Sequence, residues 1–383
     1  MGHQVVVEED SRPALGGLDA IVSWIAKERN INELTIKYMK FSLDWDVLSR
    51  RRTELMGIAM IAIMLFHMGN PRTDMFYGLR RCGNVGVDMF LFMSGIGLWF
   101  SWQRRPEYKH FFRNRYWRVY PSWLVMATIY YLPRYLSGGH RYTQDLADLF
   151  SNILFNGSFW FSGDLAFWYV PATMMLYCFA PAYMNLIKRY PSLRWLPALM
   201  MVWCVAVQWV APVHDAVRHL EIFWSRIPIF LLGINCGEAV RSKWRCDGAS
   251  GWFALVVFVA SFGLCIYLEQ QLHGRFPIFI ERLIYIPLTI SSLLLLGKLL
   301  DDVAPVVRRG LAFVGTISLE VYLIHLHWVE MPLLKYRLGY WPTALLVMVI
   351  SFPLAWLLYR AVLLFKSAVT RPRESGDGNS TAA

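Results

Sequence analysis

The segment at residues 84–102 reads NVGVDMFLFMSGIGLWFSW. Asp88 is the only charged side chain in the segment. A helix needs about 20 residues to cross the hydrocarbon core of a bilayer, and the segment has nearly that length. An isolated carboxylate in such a run is costly in lipid, so its presence is more often functional than accidental. The segment therefore predicts a membrane-spanning helix that carries a polar group of interest.

Nine further segments have a similar length and apolar character. Their predicted bounds are 53–69, 119–137, 166–187, 192–211, 222–240, 250–268, 277–299, 311–329 and 342–365. Pro133 is expected to break the span at 119–137. The stretch 144–162 is less apolar and is predicted to be interfacial or re-entrant. The pattern predicts an all-α, polytopic integral membrane bundle of about ten transmembrane helices.

The composition agrees with a protein surrounded by lipid. The chain has 383 residues, of which 56% are hydrophobic and 17% charged, whereas soluble domains contain about 25% charged residues. The net charge of +11 does not indicate nucleic-acid binding, because the basic residues lie at the ends of apolar runs. Six cysteines occur without a CxxC pair, so neither a disulfide framework nor a metal site is predicted.

Basic residues in the short loops predict the orientation. With ten spans, 22 Lys and Arg residues fall on one side of the membrane and 11 on the other. Because the more basic side faces the cytoplasm, both termini are predicted to be cytoplasmic. The predicted organisation is a cytoplasmic or interfacial extension at 1–49, a membrane domain at 50–366 and a disordered cytoplasmic tail at 367–383.

Four ionisable residues within the predicted spans are candidates for an active site, whereas Glu281 and Arg282, at the start of the span at 277–299, could simply neutralise each other. His67 is expected about three-quarters of the way across, Asp88 one turn below the outer face, Glu320 near the middle and His325 about one turn above it. Three helices thereby contribute to one outer layer, which suits proton transfer. The alternative is structural: a histidine near a helix end is often interfacial, and Asp88 could cap its helix.

A second feature lies near the opposite membrane face. Arg115 and Arg118 are three residues apart and share one face of a helix that enters the membrane. Paired guanidinium groups suit phosphate, because each offers bidentate donors. The alternative is that they only set the orientation and contact anionic lipid.

Six motifs together resemble those of acyltransferase family 3, whose members acylate surface glycans. The resemblance covers residues 50–366, and its motifs are ELMGIA at 54–59 leading to His67, GVDMFLFMSG at 86–95, Arg115-x-x-Arg118-x-x-Pro121, Trp168-Tyr169 with Tyr177 and Pro181, FLLG at 230–233, and Gly315-x-x-Ser318-Leu319-Glu320-x-Tyr322-Leu323-x-His325. Each motif is weak alone, but their order and spacing make the set specific. The resemblance implies O-acyl transfer, most simply of acetyl from acetyl-CoA to a polysaccharide or glycolipid, at a bacterial inner membrane.

The resemblance also implies roles for individual residues. His67 corresponds to the catalytic base, with Asp88 or Glu320 expected to tune it and His325 as its nearest competitor. Arg115 and Arg118 correspond to the acyl-CoA site. The family often has a basic residue eleven positions before the histidine, where this chain has Met56, so Arg52 is a candidate replacement.

Candidate substrate contacts come from the same motifs. They are Ser94, Trp168, Tyr169 and Tyr322. Trp168 and Tyr169, with Trp160 and Phe161, could form a sugar-stacking platform or belong to the aromatic belt at the membrane surface.

A transporter or flippase for a lipid-linked or small anionic solute is the rival interpretation. It also explains ten spans with buried ionisable groups. The sequence shows no inverted-repeat signal, and the motif order is that of acyltransferases. The expected partners are membrane lipid, acyl-CoA and a glycan acceptor, and the oligomeric state is left open between a monomer and a homo-oligomer.

Overall fold

The computed structural model describes Lys27 and residues 41–69, 71–138, 141–246 and 248–370. Most of the predicted extension at 1–49 and most of the tail at 367–383 lie outside these ranges. Regular structure in the described residues is almost entirely helical. The α-helices, numbered in chain order, are α1 Val47–Arg50, α2 Arg52–His67, α3 Tyr77–Arg81, α4 Val85–Arg104, α5 Tyr108–Leu136, α6 Leu146–Phe155, α7 Gly157–Ser162, α8 Tyr169–Arg189, α9 Leu196–Ala206, α10 Ala211–Val217, α11 Glu221–Trp224, α12 Ile227–Arg241, α13 Gly248–Leu272, α14 Ile278–Asp302, α15 Pro305–Thr316, α16 Ser318–Ile324, α17 Met331–Leu334 and α18 Tyr340–Thr370.

Short elements complete the described chain. Four 3₁₀ turns occupy Cys82–Asn84, Pro191–Trp195, Val207–Trp209 and Arg218–Leu220, and a π-helical turn occupies His325–Glu330. Two strands, β1 Leu43–Asp44 and β2 Arg245–Cys246, pair in antiparallel orientation. The predicted all-α architecture is therefore confirmed, with this one small ribbon added.

The structure supports membrane spanning without fixing the number of spans. Five helices, or seven if each of two bent pairs is one span, are long and apolar enough to cross a membrane. The bent pairs are Pro191–Trp209 with Ala211–Trp224 and Pro305–Thr316 with Ser318–Leu334, bent by 109° and 62°. The helices α2 and α12 have only 16 and 15 residues. A helix perpendicular to the membrane needs about 20 residues to span it. The count of ten stays a prediction.

The expected break at Pro133 is wrong. Helix α5 continues through Pro121 and Pro133 and ends at Leu136. Membrane helices tolerate proline where neighbouring groups satisfy the backbone. The stretch 144–162, predicted not to span, forms the short helices α6 and α7.

Helix α4 is the centre of the bundle, and glycines allow its close packing. A Cβ atom added at Gly95 would lie 2.5 Å from the carbonyl oxygen of Phe230 on α12, and one at Gly233 would lie 2.2 Å from the backbone of α4. A second close contact joins α2 to α15, where added Cβ atoms at Gly57 and Gly315 would lie 2.0 Å or less from carbonyl oxygens. These contacts fix the helices that carry the ionisable residues.

Candidate active site

Three adjoining cavities pass through the bundle. The arginine mouth, of about 540 Å³, is lined by Arg115, Trp117, Arg118 and Tyr359, among others. The narrow neck, of about 70 Å³, shares Arg52, Arg115 and Arg118 with the mouth. The histidine chamber, of about 460 Å³, contains His67, His325 and His327 and shares Ile63, Val87 and Tyr322 with the neck.

Helix α2 shows how far apart the two ends of this route are. Arg52 is its first residue and His67 its last, and 1.5 Å of rise per residue separates them by roughly 22 Å along the axis. The arginines and the histidines therefore lie at opposite ends of one series of cavities.

The two predicted histidines contact each other. The Nε2 atom of His325 lies 3.4 Å from the Nδ1 atom of His67, and the ring centroids are 5.2 Å apart. Both belong to the histidine chamber. The sequence placed them in one layer, and the structure brings them together.

Backbone carbonyl groups determine which ring nitrogen of each histidine carries hydrogen. The Nδ1 atom of His67 lies 2.9 Å from the carbonyl oxygen of Ile63, and that of His325 lies 2.9 Å from the carbonyl oxygen of Val321. A carbonyl oxygen can only accept, so each Nδ1 donates and each neutral ring has its lone pair at Nε2. His67 thus keeps Nε2 as the basic atom, in the orientation set by Ile63 and His325.

Asp88 does not tune His67, contrary to the sequence-based expectation. Its Oδ2 atom accepts from Nε of Arg226 at 3.2 Å, and both side chains are 1% exposed. The same guanidinium donates to Oδ1 of Asn84 at 3.1 Å. Burial makes this pairing necessary, because either charge alone would be strongly unfavourable in the bundle interior.

Glu320 does not lie with His67 either. Its Oε1 atom accepts a 2.7 Å hydrogen bond from the hydroxyl of Ser122, and its side chain borders the arginine mouth. Rotation around the α16 axis separates it from His325, which is five residues further along. The expected carboxylate partner of His67 is therefore replaced by a second histidine.

The structure also shows which of the three consecutive arginines enters the neck. Arg50 and Arg51 both donate to the carboxylate of Asp301. Arg52 instead lies against Gly97, with its Nη2 atom 3.4 Å from the carbonyl oxygen of Met93. Arg52 precedes Met56 by one helical turn on the same face, and both line the neck.

The arginine end fits a phosphate-bearing ligand. The Nε atoms of Arg52 and Arg115 are buried and have no hydrogen-bond partner among the residues that the structure describes. Buried polar groups are normally satisfied, and guanidinium groups pair well with phosphate oxygens. Arg118 joins them at the junction of mouth and neck. Among the described residues, no group of three or more His, Cys, Asp or Glu side chains could hold a metal ion.

Comparison with known families agrees with this arrangement. The model of the acyltransferase domain of family 3 matches residues 55–360, which include the histidine chamber and every lining residue of the neck except Arg52. The chain belongs to acyltransferase family 3. No curated protein and no solved structure matches it.

The remaining predicted substrate contacts of this acyltransferase fall into two places. Ser94, Tyr169 and Tyr322 line the neck, and Trp168 lines the histidine chamber. Trp160 and Phe161 do not line the chamber, and Phe161 is 79% exposed. The four aromatic residues therefore do not form one platform.

The hydroxyl group of Tyr322 accepts one hydrogen bond from the backbone. Its oxygen accepts from the backbone N–H of Tyr169 at 3.2 Å, which leaves its own hydrogen to be donated elsewhere. Tyr322 borders both the neck and the chamber. Tyr322 therefore lies at the junction of the neck and the chamber.

Sequence reasoning missed several polar residues of the acyltransferase chamber. They include Arg81, Glu269, His273 and His327, and the pair Glu281 and Arg282 was considered only as self-neutralising. One signal was available: Glu269 and His273 are four residues apart, so they share a helix face. Their position opposite His67 depends on how α13 and α14 pack, which no local pattern gives.

Proposed function

We propose that this acyltransferase transfers an acyl group, most simply acetyl, from cytoplasmic acetyl-CoA to a hydroxyl of an extracytoplasmic polysaccharide or glycolipid. One observation carries the proposal: three arginines and a basic histidine lie at opposite ends of adjoining cavities. The basic-residue bias of the loops puts the arginine end on the cytoplasmic side. The setting we propose is a bacterial inner membrane.

The arginine mouth would hold the nucleotide end of the donor. Phosphate groups of acetyl-CoA would pair with Arg52, Arg115 and Arg118. Within the described part of the chain, the buried Nε atoms of Arg52 and Arg115 lack hydrogen-bond partners. The small volume of the neck, about 70 Å³, would suit the unbranched arm of the donor. The thioester would then reach the residues shared by neck and chamber, Ile63, Val87 and Tyr322.

His67 would act as the general base at this junction. Its Nε2 atom removes the proton from the acceptor hydroxyl as the oxygen attacks the thioester carbonyl carbon. The C–S bond breaks, the new ester is released toward the chamber, and the proton passes from Nε2 to the departing thiolate to give free CoA. His325 and the Ile63 carbonyl hold the ring so that Nε2 stays available.

Tyr322 would stabilise the charge that develops on the carbonyl oxygen. Its free hydroxyl hydrogen is directed by the hydrogen bond that the oxygen accepts from Tyr169. A preorganised donor of this kind acts most strongly where water is excluded. Arg52 would supply the positive charge that Met56 cannot, since its side chain reaches the same cavity from one turn earlier.

Purified protein in lipid nanodiscs tests the proposal. We expect it to release free CoA from acetyl-CoA labelled in the acetyl group, and to transfer label to extracellular polysaccharide from the host. Release of CoA would be followed with a thiol reagent. Transport of labelled saccharide across proteoliposomes without any thioester turnover would overturn the proposal in favour of a transporter.

A further inference from the structure

One wall of the histidine chamber is polar and has no role in the chemistry above. It consists of Arg81 on α3, Glu269 and His273 on α13, and Glu281 and Arg282 on α14. Nε of Arg81 contacts Glu269 at 3.3 Å, and Nη1 of Arg282 lies 3.4 Å from Glu281. Each carboxylate therefore has its own guanidinium, and the formal charges of the wall cancel.

His273 presents a hydrogen-bond acceptor to the chamber. Its Nδ1 atom lies 2.5 Å from Oε2 of Glu269. A carboxylate in this ion pair accepts, so Nδ1 donates and the Nε2 lone pair of a neutral ring is left for a ligand. The side chain of His273 is 24% exposed, whereas Glu269 is 5% exposed. The carboxylate thus orients the ring, and the ring faces the open space.

Arg282 presents donors that nothing in the described structure uses. The side chain is 5% exposed, and its Nε and Nη1 atoms make no hydrogen bond, since the contact with Glu281 lacks hydrogen-bond geometry. A buried guanidinium with two unsatisfied N–H groups is unusual in proteins. Arg282 lines the chamber, but these two nitrogen atoms have almost no accessible surface of their own, so a molecule in the chamber would reach them after a small shift of the side chain.

Aromatic side chains line other parts of the chamber. They are Phe66, Phe167, Trp168 and Phe276. Flat apolar rings suit a ligand that has apolar C–H faces. The hydrogen-bonding groups of the wall, whose formal charges cancel, suit uncharged hydroxyl groups. The volume of about 460 Å³ lies within the about 300–1,000 Å³ typical of small-molecule sites.

We propose that this wall is the acceptor subsite and that it binds a neutral sugar ring through neighbouring hydroxyl groups. Nε2 of His273 accepts from one hydroxyl, and the N–H groups of Arg282 donate to an adjacent one. The inference rests on the proposed function, because the bound ring must offer a further hydroxyl to Nε2 of His67 in the same chamber. A carboxylate-bearing ring is disfavoured, because the formal charges of the wall already cancel and leave no net positive charge to balance an added carboxylate.

Steady-state kinetics with defined acceptors test this assignment. The probes are methyl glucoside, methyl galactoside and methyl mannoside, with methyl glucuronide as the charged comparison, each with acetyl-CoA. We expect Arg282→Gln and Glu269→Gln to raise the KM for the neutral hexoside by about tenfold or more, as for the loss of one charged hydrogen bond. The KM for acetyl-CoA should change less than twofold in both.

Two further variants separate binding from folding. His273→Gln changes a partly exposed side chain, so it tests the subsite even if a buried variant does not fold. Glu221→Gln is the matched control, because Glu221 accepts hydrogen bonds from Gln208 and the Phe279 backbone outside the wall. We expect His273→Gln to raise the hexoside KM and Glu221→Gln to leave both constants unchanged.

The outcomes are distinguishable from failure of the proposed function. Unchanged hexoside KM in Arg282→Gln and His273→Gln would overturn the subsite, as would a preference for the glucuronide. Wild-type enzyme that turns over acetyl-CoA with host polysaccharide but with none of the hexosides would also overturn it. If the wild type turned over no acetyl-CoA at all, the proposed function itself would fail.

Discussion

The Nε2 atom of His325 lies 3.4 Å from the Nδ1 atom of His67, although 258 positions separate the two residues in the chain. Each ring donates through Nδ1 to a backbone carbonyl of its own helix. The pair therefore has one lone pair between the rings, at Nε2 of His325, and another directed away from it, at Nε2 of His67. This asymmetry supports the proposed roles of His67 as the base and His325 as its positioning residue.

His67→Ala is expected to reduce acetyl transfer by a factor of about 100 to 10,000, as for the loss of a general base. His325→Ala should keep more activity, because the Ile63 carbonyl still holds the His67 ring. The measurement is kcat for acetyl transfer, alongside acetyl-CoA binding and expression, which should stay near normal in both. Near wild-type activity in His67→Ala with loss in His325→Ala would reverse the two roles.

The arginine site predicts an effect on donor affinity. Arg115→Ala with Arg118→Ala, and separately Arg52→Ala, should each raise the KM for acetyl-CoA by roughly 10- to 150-fold, since a lost charged hydrogen bond is worth about 1.5–3 kcal/mol. Arg50→Ala is the matched control, because Arg50 is 45% exposed and pairs with Asp301. Acetyl-CoA binding unchanged by the double substitution would leave these arginines with an orienting role alone.

Tyr322→Phe removes only the hydroxyl and should lower kcat with little change in either KM. The expected loss is about 100- to 1,000-fold, the range for a single donor to a developing oxyanion. Tyr183→Phe is a suitable comparison, because the hydroxyl of Tyr183 donates to Asn235 at 2.9 Å away from the three cavities. Equal kcat in the two variants would remove Tyr322 from the chemistry.

Asp88 is expected to matter for stability. Asp88→Ala leaves the guanidinium of Arg226 buried and unpaired, which should cost about 3–5 kcal/mol. Denaturant unfolding in detergent would measure the loss, with Arg241→Ala as the exposed comparison, since its pair with Glu238 should contribute at most about 1 kcal/mol. A stable Asp88→Ala protein with a selective fall in kcat would return Asp88 to the catalytic machinery.

The topology can be tested with reporter fusions. The excess of basic residues on one side predicts that fusions after Arg80 and after Arg337 report an extracytoplasmic location. Fusions within the loop near Arg105 should report a cytoplasmic one. A cytoplasmic signal after Arg80 or Arg337 would reverse the sides assigned to the arginine mouth and the histidine chamber.

Local sequence was enough to predict the architecture and much of the family assignment. Apolar runs such as 84–102 predict helices because lipid offers no partners to backbone N–H and C=O groups. The prediction of helices was confirmed. The ordered motifs, including those that contain His67 and Arg115, led to the correct family. The four-residue spacing of Glu269 and His273 also predicts that the two side chains share one helix face.

Tertiary structure decided which polar groups meet. Asp88 pairs with Arg226, 138 positions away, because α4 and α12 approach closely at Gly95 and Gly233. Neither the rotation of each helix nor its crossing partner is encoded in a local pattern, since both depend on side-chain packing between distant segments. For the same reason only the fold shows that His67 faces a histidine and not a carboxylate.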